Sequence, residues 1–121
     1  MHELSICQSI IHQGIEIARK HNASSITRIN LSIGPLAGID THLLEAAFPI
    51  AARTSPAEHA ILDIQVIPIQ IHCSDCDINS EVPMNNLTCP QCNNKQTRLI
   101  SGDEMIITHI ELTSNQESIH V

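Results

Sequence analysis

The sequence predicts an α+β fold, in which a small mixed three-stranded sheet carries two helices and a ribbon is inserted into the chain. Three observations lead to this fold. The chain opens with a long helix-periodic segment, strand-like alternation recurs in three later segments, and two Cys-x-x-Cys pairs stand before the last of these segments. We therefore expect one α+β domain made of residues 1–71 plus 103–121, and a ribbon domain at residues 72–102.

The first helix is predicted at residues 3–21, where apolar side chains recur three and four residues apart and the opposite stripe is polar. The apolar positions are Leu4, Cys7, Ile11, Ile15 and Ala18, and the polar ones are Ser9, Gln13, Glu16 and Lys20. This spacing indicates a helix packed on a core. Cys7 lies on the apolar stripe, so we expect a buried, inert thiol rather than a reactive one.

The next two elements are predicted to be a strand and a second helix. From Thr27 to Ile33 apolar and polar residues alternate, which predicts a strand with one solvated face. The stretch GPLAG at 34–38 ends that strand. The stretch DTHLLEAAFPIAAR then predicts a helix with Asp40 at its N-cap. Pro49 is expected to kink this helix, because proline lacks a backbone N–H.

Two further strands complete the predicted sheet. Residues 60–71 are dense in β-branched side chains and predict one long strand, bent or at a sheet edge near Pro68. A turn at 102–103 precedes the last strand, predicted at 105–112. Residues 27–71 fit a right-handed βαβ unit, and the cysteine block is then an insertion before the closing strand returns to the same sheet.

The four cysteines of the insertion have the spacing of a metal site. Cys73 and Cys76 form one Cys-x-x-Cys turn, Cys89 and Cys92 form another, and 12 residues separate the two turns. Two such turns supply four thiolates at tetrahedral corners, which is the shell of structural zinc. The residues between them are too few and too polar to form their own core, so the metal would stabilise the ribbon. Two disulfides or a redox dithiol are the alternatives.

The chemistry expected of this zinc is structural. Four thiolates fill the coordination shell, whereas a catalytic zinc keeps one position open. His72 precedes the first cysteine and could replace a thiolate, although a role in capping the strand is simpler. No nucleophile motif, phosphate-binding glycine loop or acid/base pair is present, so the sequence does not indicate an enzyme.

Composition excludes several other classes of protein. Lys and Arg total 6 against 13 Asp and Glu, the net charge is -7, and aromatic residues are 1% of the chain. An acidic chain with almost no aromatic side chains is poorly suited to bind nucleic acid. No segment approaches the roughly 18 apolar residues of a membrane span, and the start lacks signal-peptide features. We therefore expect a cytoplasmic protein with no membrane span and no nucleic-acid partner.

The amino terminus carries a second candidate metal site. With histidine at position 2, the Met1 α-amine, the His2 amide nitrogen and the His2 imidazole can form fused chelate rings with three nitrogens in one plane. This donor set suits square-planar Ni(II) or Cu(II). Glu3 and Asp40 could place negative charge nearby, which would offset the unfavourable helix dipole. From the residues alone, a frayed terminal His2 and a plain N-cap Asp40 remain the alternatives.

Four stretches in order carry a resemblance to a known family. They are MHELSICQSI at the start, IGPLAGID in the middle, Cys-x-x-Cys followed after 12 residues by Cys-Pro-x-Cys, and GDEMII with IEL near the end. The chain resembles the HypA/HybF family of hydrogenase maturation factors over about residues 1–112.

The resemblance implies a nickel metallochaperone that delivers Ni(II) for maturation of [NiFe]-hydrogenase. It implies a HypB-type GTPase and the hydrogenase large subunit as partners, and service to urease in some bacteria. Carried over by residue, His2 is the principal nickel ligand, with Glu3 and Asp40 as further nickel residues in some members. Zinc is the structural cofactor and nickel the transient cargo. The zinc ligands implied are Cys73, Cys76, Cys89 and Cys92.

Two other functions stay open at this point. The first is a zinc-ribbon module for protein interactions in which His2 has no role. The second is a metal-dependent hydrolase that uses His2 with a carboxylate, for which the sequence offers no pocket signature. Nickel titration of the chain with an intact and with an extended amino terminus distinguishes nickel delivery from these two functions.

Overall fold

The computed structural model describes residues 3–114 of the chain; Met1, His2 and residues 115–121 lie outside the described residues. Helix α1 spans Glu3–Lys20 and α2 spans Thr41–Ala51, with a short 3-10 turn at Pro35–Ala37. The six strands are β1 Ala23–Ile33, β2 Ile61–Val66, β3 Ile69–Cys73, β4 Ile78–Val82, β5 Arg98–Ser101 and β6 Met105–Ser114. None of the described helices is long and apolar enough to cross a membrane.

The strands form two three-stranded sheets. Their orders are β2-β1-β6 and β4-β3-β5. The predicted α+β class, with two helices, a small sheet and a four-cysteine ribbon, is confirmed. The chain divides into two compact units. Of the described residues, the first unit contains 3–31, 40–64 and 107–114, and the second contains 32–39 and 65–106. The domain boundaries expected from the sequence, at 71/72 and 102/103, stay a prediction.

The core of the first unit is mostly aliphatic, as a chain with a single Phe requires. Helix α1 buries one stripe, and α2 contributes Leu44 and Phe48. Gly14 on α1 allows close packing, because a Cβ there would lie 3.0 Å from the Ile26 side chain. The two helices pack against each other, and the Cys7 thiol donates to the Leu44 carbonyl oxygen at 3.4 Å. Cys7 is fully buried, in agreement with the inert thiol expected from the sequence.

The prediction of one long strand over residues 60–71 is wrong. The chain forms β2 up to Val66 and β3 from Ile69, and the two strands belong to different sheets. Pro68 lies in the break, and its missing N–H removes one donor from any continuous ladder. The burial of the two strands also differs: β2 is mostly exposed, whereas β3 alternates fully buried residues with half-buried ones.

The second unit contains a small antiparallel sheet with the cysteine turns at one end. Strand β3 pairs with β4 from Ile69 opposite Val82 to Cys73 opposite Ile78, and with β5 on its other side. Its apolar core consists of Ile69, Ile71 and Val82, packed against Leu36. A cluster this small stabilises little, so the unit depends on other interactions.

The GPLAG and GDE stretches meet within this second unit. The Gly34 N–H donates to the Glu104 carbonyl oxygen at 2.9 Å, and the Leu36 N–H donates to that of Gly102 at 2.7 Å. Gly102 has a φ of +121°, which favours glycine, and a Cβ there would lie 2.9 Å from the Ile69 Cα. The glycines therefore permit backbone contact between segments that are distant in sequence. We call Gly34, Leu36, Gly102 and Glu104 the glycine interlock.

Candidate metal centre

Both Cys-x-x-Cys turns of the ribbon have the same backbone design. The N–H of Asp77 donates to the Cys73 carbonyl oxygen at 2.7 Å, and the N–H of Asn93 donates to that of Cys89 at 2.8 Å. Asp77 and Asn93 have φ angles of 55° and 61°. Asp and Asn tolerate this left-handed conformation better than most residues. Each turn therefore reverses the chain and brings its two sulfur atoms to the same side.

The structure brings together all four predicted cysteines. Their Sγ atoms lie within 4.8 Å of one another, with 3.6 Å between Cys73 and Cys92 and 3.9 Å between Cys76 and Cys89. Tetrahedral zinc with Zn–S bonds of about 2.3 Å separates its sulfur ligands by about 3.8 Å. The cluster therefore fits a zinc ion, and no disulfide joins these cysteines.

The lowered pKa of one thiol in the cluster also favours the binding of a cation. Backbone N–H groups of Cys92 and Gln91 lower the pKa of the Cys89 thiol to about 7, which stabilises a thiolate at that position. The hydrogen bond with Cys92 and partial desolvation raise the pKa of Cys76 to about 12. Without a metal, the four sulfur atoms must share protons. A divalent cation at their centre would replace those protons and allow four thiolates.

His72 is not among the residues of the sulfur cluster. Its Nδ1 lies 2.7 Å from Asn79 Oδ1 across the β3–β4 pair, and its Nε2 lies 3.5 Å from Asp77 Oδ1. Both ring nitrogens therefore have partners at the end of the strand. This arrangement favours the capping role over the replacement of a thiolate.

The first unit brings Glu3 and Asp40 together at the start of its two helices. Glu3 Oε2 accepts a hydrogen bond from the Asp40 backbone N–H at 3.3 Å. Asp40 Oδ1 accepts from the N–H groups of His42 and Leu43 at 3.0 and 3.2 Å, so the predicted N-cap is confirmed. His2 lies outside the described residues. The nickel-ligand roles of His2, Glu3 and Asp40 stay predictions, as do the zinc-ligand roles of the four cysteines.

Sequence reasoning missed the glycine interlock as a structural element, because it predicted its two halves only as separate turns. The side chain of Glu104 is part of it: Oε1 accepts from the Gly102 N–H at 2.7 Å. Backbone donors, chiefly that of Gly102, lower the pKa of the Glu104 carboxyl. The available signal was a glycine in each stretch, with Glu104 two residues after Gly102, but the contact joins segments that are far apart in the sequence.

A small α+β unit and a ribbon with four converging cysteine sulfur atoms define a candidate metal-binding protein. Residues 1–112 match the family described as "Hydrogenase/urease nickel incorporation, metallochaperone, hypA". Two similar chains are the hydrogenase maturation factors HypA of Nitrosospira multiformis and Aquifex aeolicus. The first is 39% identical and the second 40%, and each match covers 93% of this chain and 97% of the relative.

A solved structure is similar as well. The solution structure of the nickel metallochaperone HypA from Helicobacter pylori has a TM-score of 0.70 and 29% identity, and the match covers 95% of this chain and all of that one. The chain belongs to the HypA family. It is a nickel-incorporation metallochaperone of hydrogenase maturation and not a catalytic enzyme. The resemblance seen in the sequence is thereby confirmed.

Proposed function

We propose that this chain binds Ni(II) at its amino terminus and delivers it to the large subunit of [NiFe]-hydrogenase together with a HypB-type GTPase. The observation that carries the proposal is the contact between Glu3 and Asp40. It links the start of α1, one residue after His2, to the N-cap of α2. Two carboxylates therefore lie close to the sequence position where nickel would bind.

The proposed nickel donors are the Met1 amine, the His2 amide nitrogen and the His2 imidazole. Nitrogen donors in one plane suit Ni(II), which can displace an amide proton. The free α-amine has an ordinary pKa of about 7.7–8.0, so it releases its proton to a metal more readily than a lysine does. The chelate needs a free amino end, because any preceding residue converts the amine into an amide.

Glu3 and Asp40 have different parts in this proposal. Asp40 uses Oδ1 to cap α2, and Glu3 uses Oε2 to accept from the Asp40 N–H. Both carboxylates add negative charge beside the positive end of a helix dipole, where a bound cation would otherwise be disfavoured. We assign them to charge compensation and to supplementary ligation of nickel.

The ribbon has the structural part. We propose that Cys73, Cys76, Cys89 and Cys92 hold one Zn(II), which adds to the stabilisation that the small apolar core of the second unit provides. Unpaired cysteines remain reduced in the cytosol, so we propose the cytoplasm as the compartment in which the chain acts. The family description names both hydrogenase and urease. Hydrogenase is the proposed target, and urease would be a second one in cells that contain it.

Calorimetric nickel titration tests the amino-terminal site. Three proteins are compared between pH 5.5 and 8: the native chain, a chain with one Gly before Met1, and His2→Ala. The native chain should bind nickel at least about tenfold more tightly than either variant, and its affinity should fall below a pH of about 6.5 as the imidazole and the amine hold their protons. Zinc content should be equal in all three.

Cellular maturation provides the functional arm of the test. His2→Ala should abolish hydrogenase activity at ordinary nickel supply, and added nickel should restore part of it. Normal maturation by this variant would overturn nickel delivery through His2 and favour a ribbon module for protein interactions. Equal nickel affinity of the native and extended chains would instead exclude the amine, so that the ligands would be side chains alone.

A further inference from the structure

One side chain connects the two cysteine turns without using a sulfur atom. Asn94 Nδ2 donates to Asp75 Oδ2 at 2.9 Å. Asp75 lies inside the first Cys-x-x-Cys turn, between Cys73 and Cys76, and Asn94 follows the second turn by two residues. The bond therefore spans the gap that a metal would close.

Asn94 also makes hydrogen bonds within and just after the second turn. Its carbonyl oxygen accepts from the Cys89 N–H at 3.0 Å, and its Oδ1 accepts from the Gln96 N–H at 3.0 Å. The backbone acceptor, side-chain acceptor and side-chain donor of Asn94 are all engaged, so its amide has a fixed direction toward Asp75.

We propose that the Asp75–Asn94 pair is a strap that holds the two cysteine turns at metal-binding distance, and that it slows the release of metal from the centre. Asn94 is thus a positioning residue, since it acts on the cysteine turns and not on the metal. This inference rests on the proposed zinc site.

The physical reason is preorganisation. A thiolate that leaves the metal must move with its turn, and each turn on its own is a short loop beside a small apolar cluster. With the strap intact, a displaced sulfur atom stays near the ion and binds it again. Without the strap, the turns separate more often and a chelator captures the ion. A single exposed hydrogen bond to a charged group should change the release rate about three- to tenfold.

Substitution of Asn94 can remove the strap and keep the turn. In Asn94→Asp the side chain still accepts from Gln96, but it loses the donor and faces the Asp75 carboxylate. The double variant Asp75→Asn/Asn94→Asp reverses donor and acceptor and restores the bond. Asn86→Ala is the matched control. Asn86 also caps its own turn, by accepting from the Thr88 N–H at 3.2 Å, but it does not connect the cysteine turns.

The measurement is the rate at which the zinc-loaded full chain transfers zinc to a chromogenic chelator in excess. Asn94→Asp should release zinc at least three times faster than the native chain, and the double variant and Asn86→Ala should be within a factor of two of native. The Co(II)-substituted proteins provide a spectroscopic readout: the tetrahedral cobalt–thiolate bands should broaden in Asn94→Asp and recover in the double variant.

The outcomes separate the strap from the zinc site. A native chain that holds no zinc overturns both proposals. A native chain that holds zinc, with native-like release from Asn94→Asp, overturns the strap alone. Equal acceleration in Asn94→Asp and in the double variant also overturns it, since the pair would then have no role of its own.

Discussion

Replacement of Gly34 by alanine should be among the most damaging small substitutions in the second unit. A Cβ at Gly34 would lie 2.1 Å from both the carbonyl carbon and the oxygen of Gly102, and 2.6 Å from its Cα. These atoms belong to the backbone, so no side-chain rotation can relieve the overlap. The two segments of the glycine interlock would have to separate.

The energetic cost follows from what this separation breaks. The bonds from Gly34 to Glu104 and from Leu36 to Gly102 are both at risk, and each contributes about 1 kcal/mol. Forced displacement of packed groups adds about 1–3 kcal/mol. We therefore expect Gly34→Ala to lower the free energy of unfolding by about 3–5 kcal/mol, which is a large part of the stability of a small domain.

Gly38→Ala provides the matched control. Gly38 has a φ of +74°, but a Cβ there would meet no atom within 4 Å. Only the backbone conformation is penalised, at about 1–2 kcal/mol. Urea unfolding can be followed by far-UV circular dichroism, because the chain has no Trp or Tyr for fluorescence. Cobalt–thiolate absorption reports the ribbon separately. If Gly34→Ala costs no more than Gly38→Ala, the close backbone approach is not a constraint and the reasoning fails.

Two further changes test the ribbon and the interlock. Cys92→Ala should lose stoichiometric zinc and the ordered structure of the ribbon but keep the helical dichroism of the first unit, as measured by metal analysis and dichroism; zinc retained with native ribbon spectra would contradict this. Glu104→Gln should be less stable than native at pH 7, since the lowered pKa of Glu104 means that its carboxylate stabilises the fold above the unfolded pKa of about 4.3. That stabilisation is lost as the pH falls through the lower pKa of the folded state. The difference in free energy of unfolding between the native chain and Glu104→Gln, measured with urea, should therefore shrink below pH 4. A difference that stays constant with pH would contradict this role of the Glu104 carboxylate.

Local patterns in the sequence were sufficient for the elements that depend on neighbouring residues. The apolar stripe predicted a helix at 3–21, and α1 spans Glu3–Lys20. Asp40 was predicted as an N-cap and accepts two backbone hydrogen bonds in that position. The four cysteines were expected to converge, because each Cys-x-x-Cys turn fixes its own pair, and they do.

The sheets were harder to predict because strand pairing depends on distant partners. Residues 60–71 are rich in β-branched side chains on both sides of Pro68, and this composition does not show that β2 and β3 join different sheets. The polar β4 and the short β5 were missed for a related reason, since both are edge strands whose ladders are formed with β3. The sequence indicated a bend of the strand near Pro68. Whether the strand bends or breaks there depends on its pairing partners, and β2 pairs with β1 whereas β3 pairs with β4 and β5.

The two proposed metal sites require opposite properties, and the sequence supplies different ligands for each. A cargo metal must leave, so its site should be open and formed from donors that protons can displace, such as a terminal amine and one imidazole. A structural metal must stay, so its site should be closed by four thiolates on prearranged turns. The Asp75–Asn94 bond connects the turns of the second kind of site. If the strap slows the loss of zinc as proposed, nickel and zinc are kept apart by the rates at which the two sites exchange metal as well as by their ligand types.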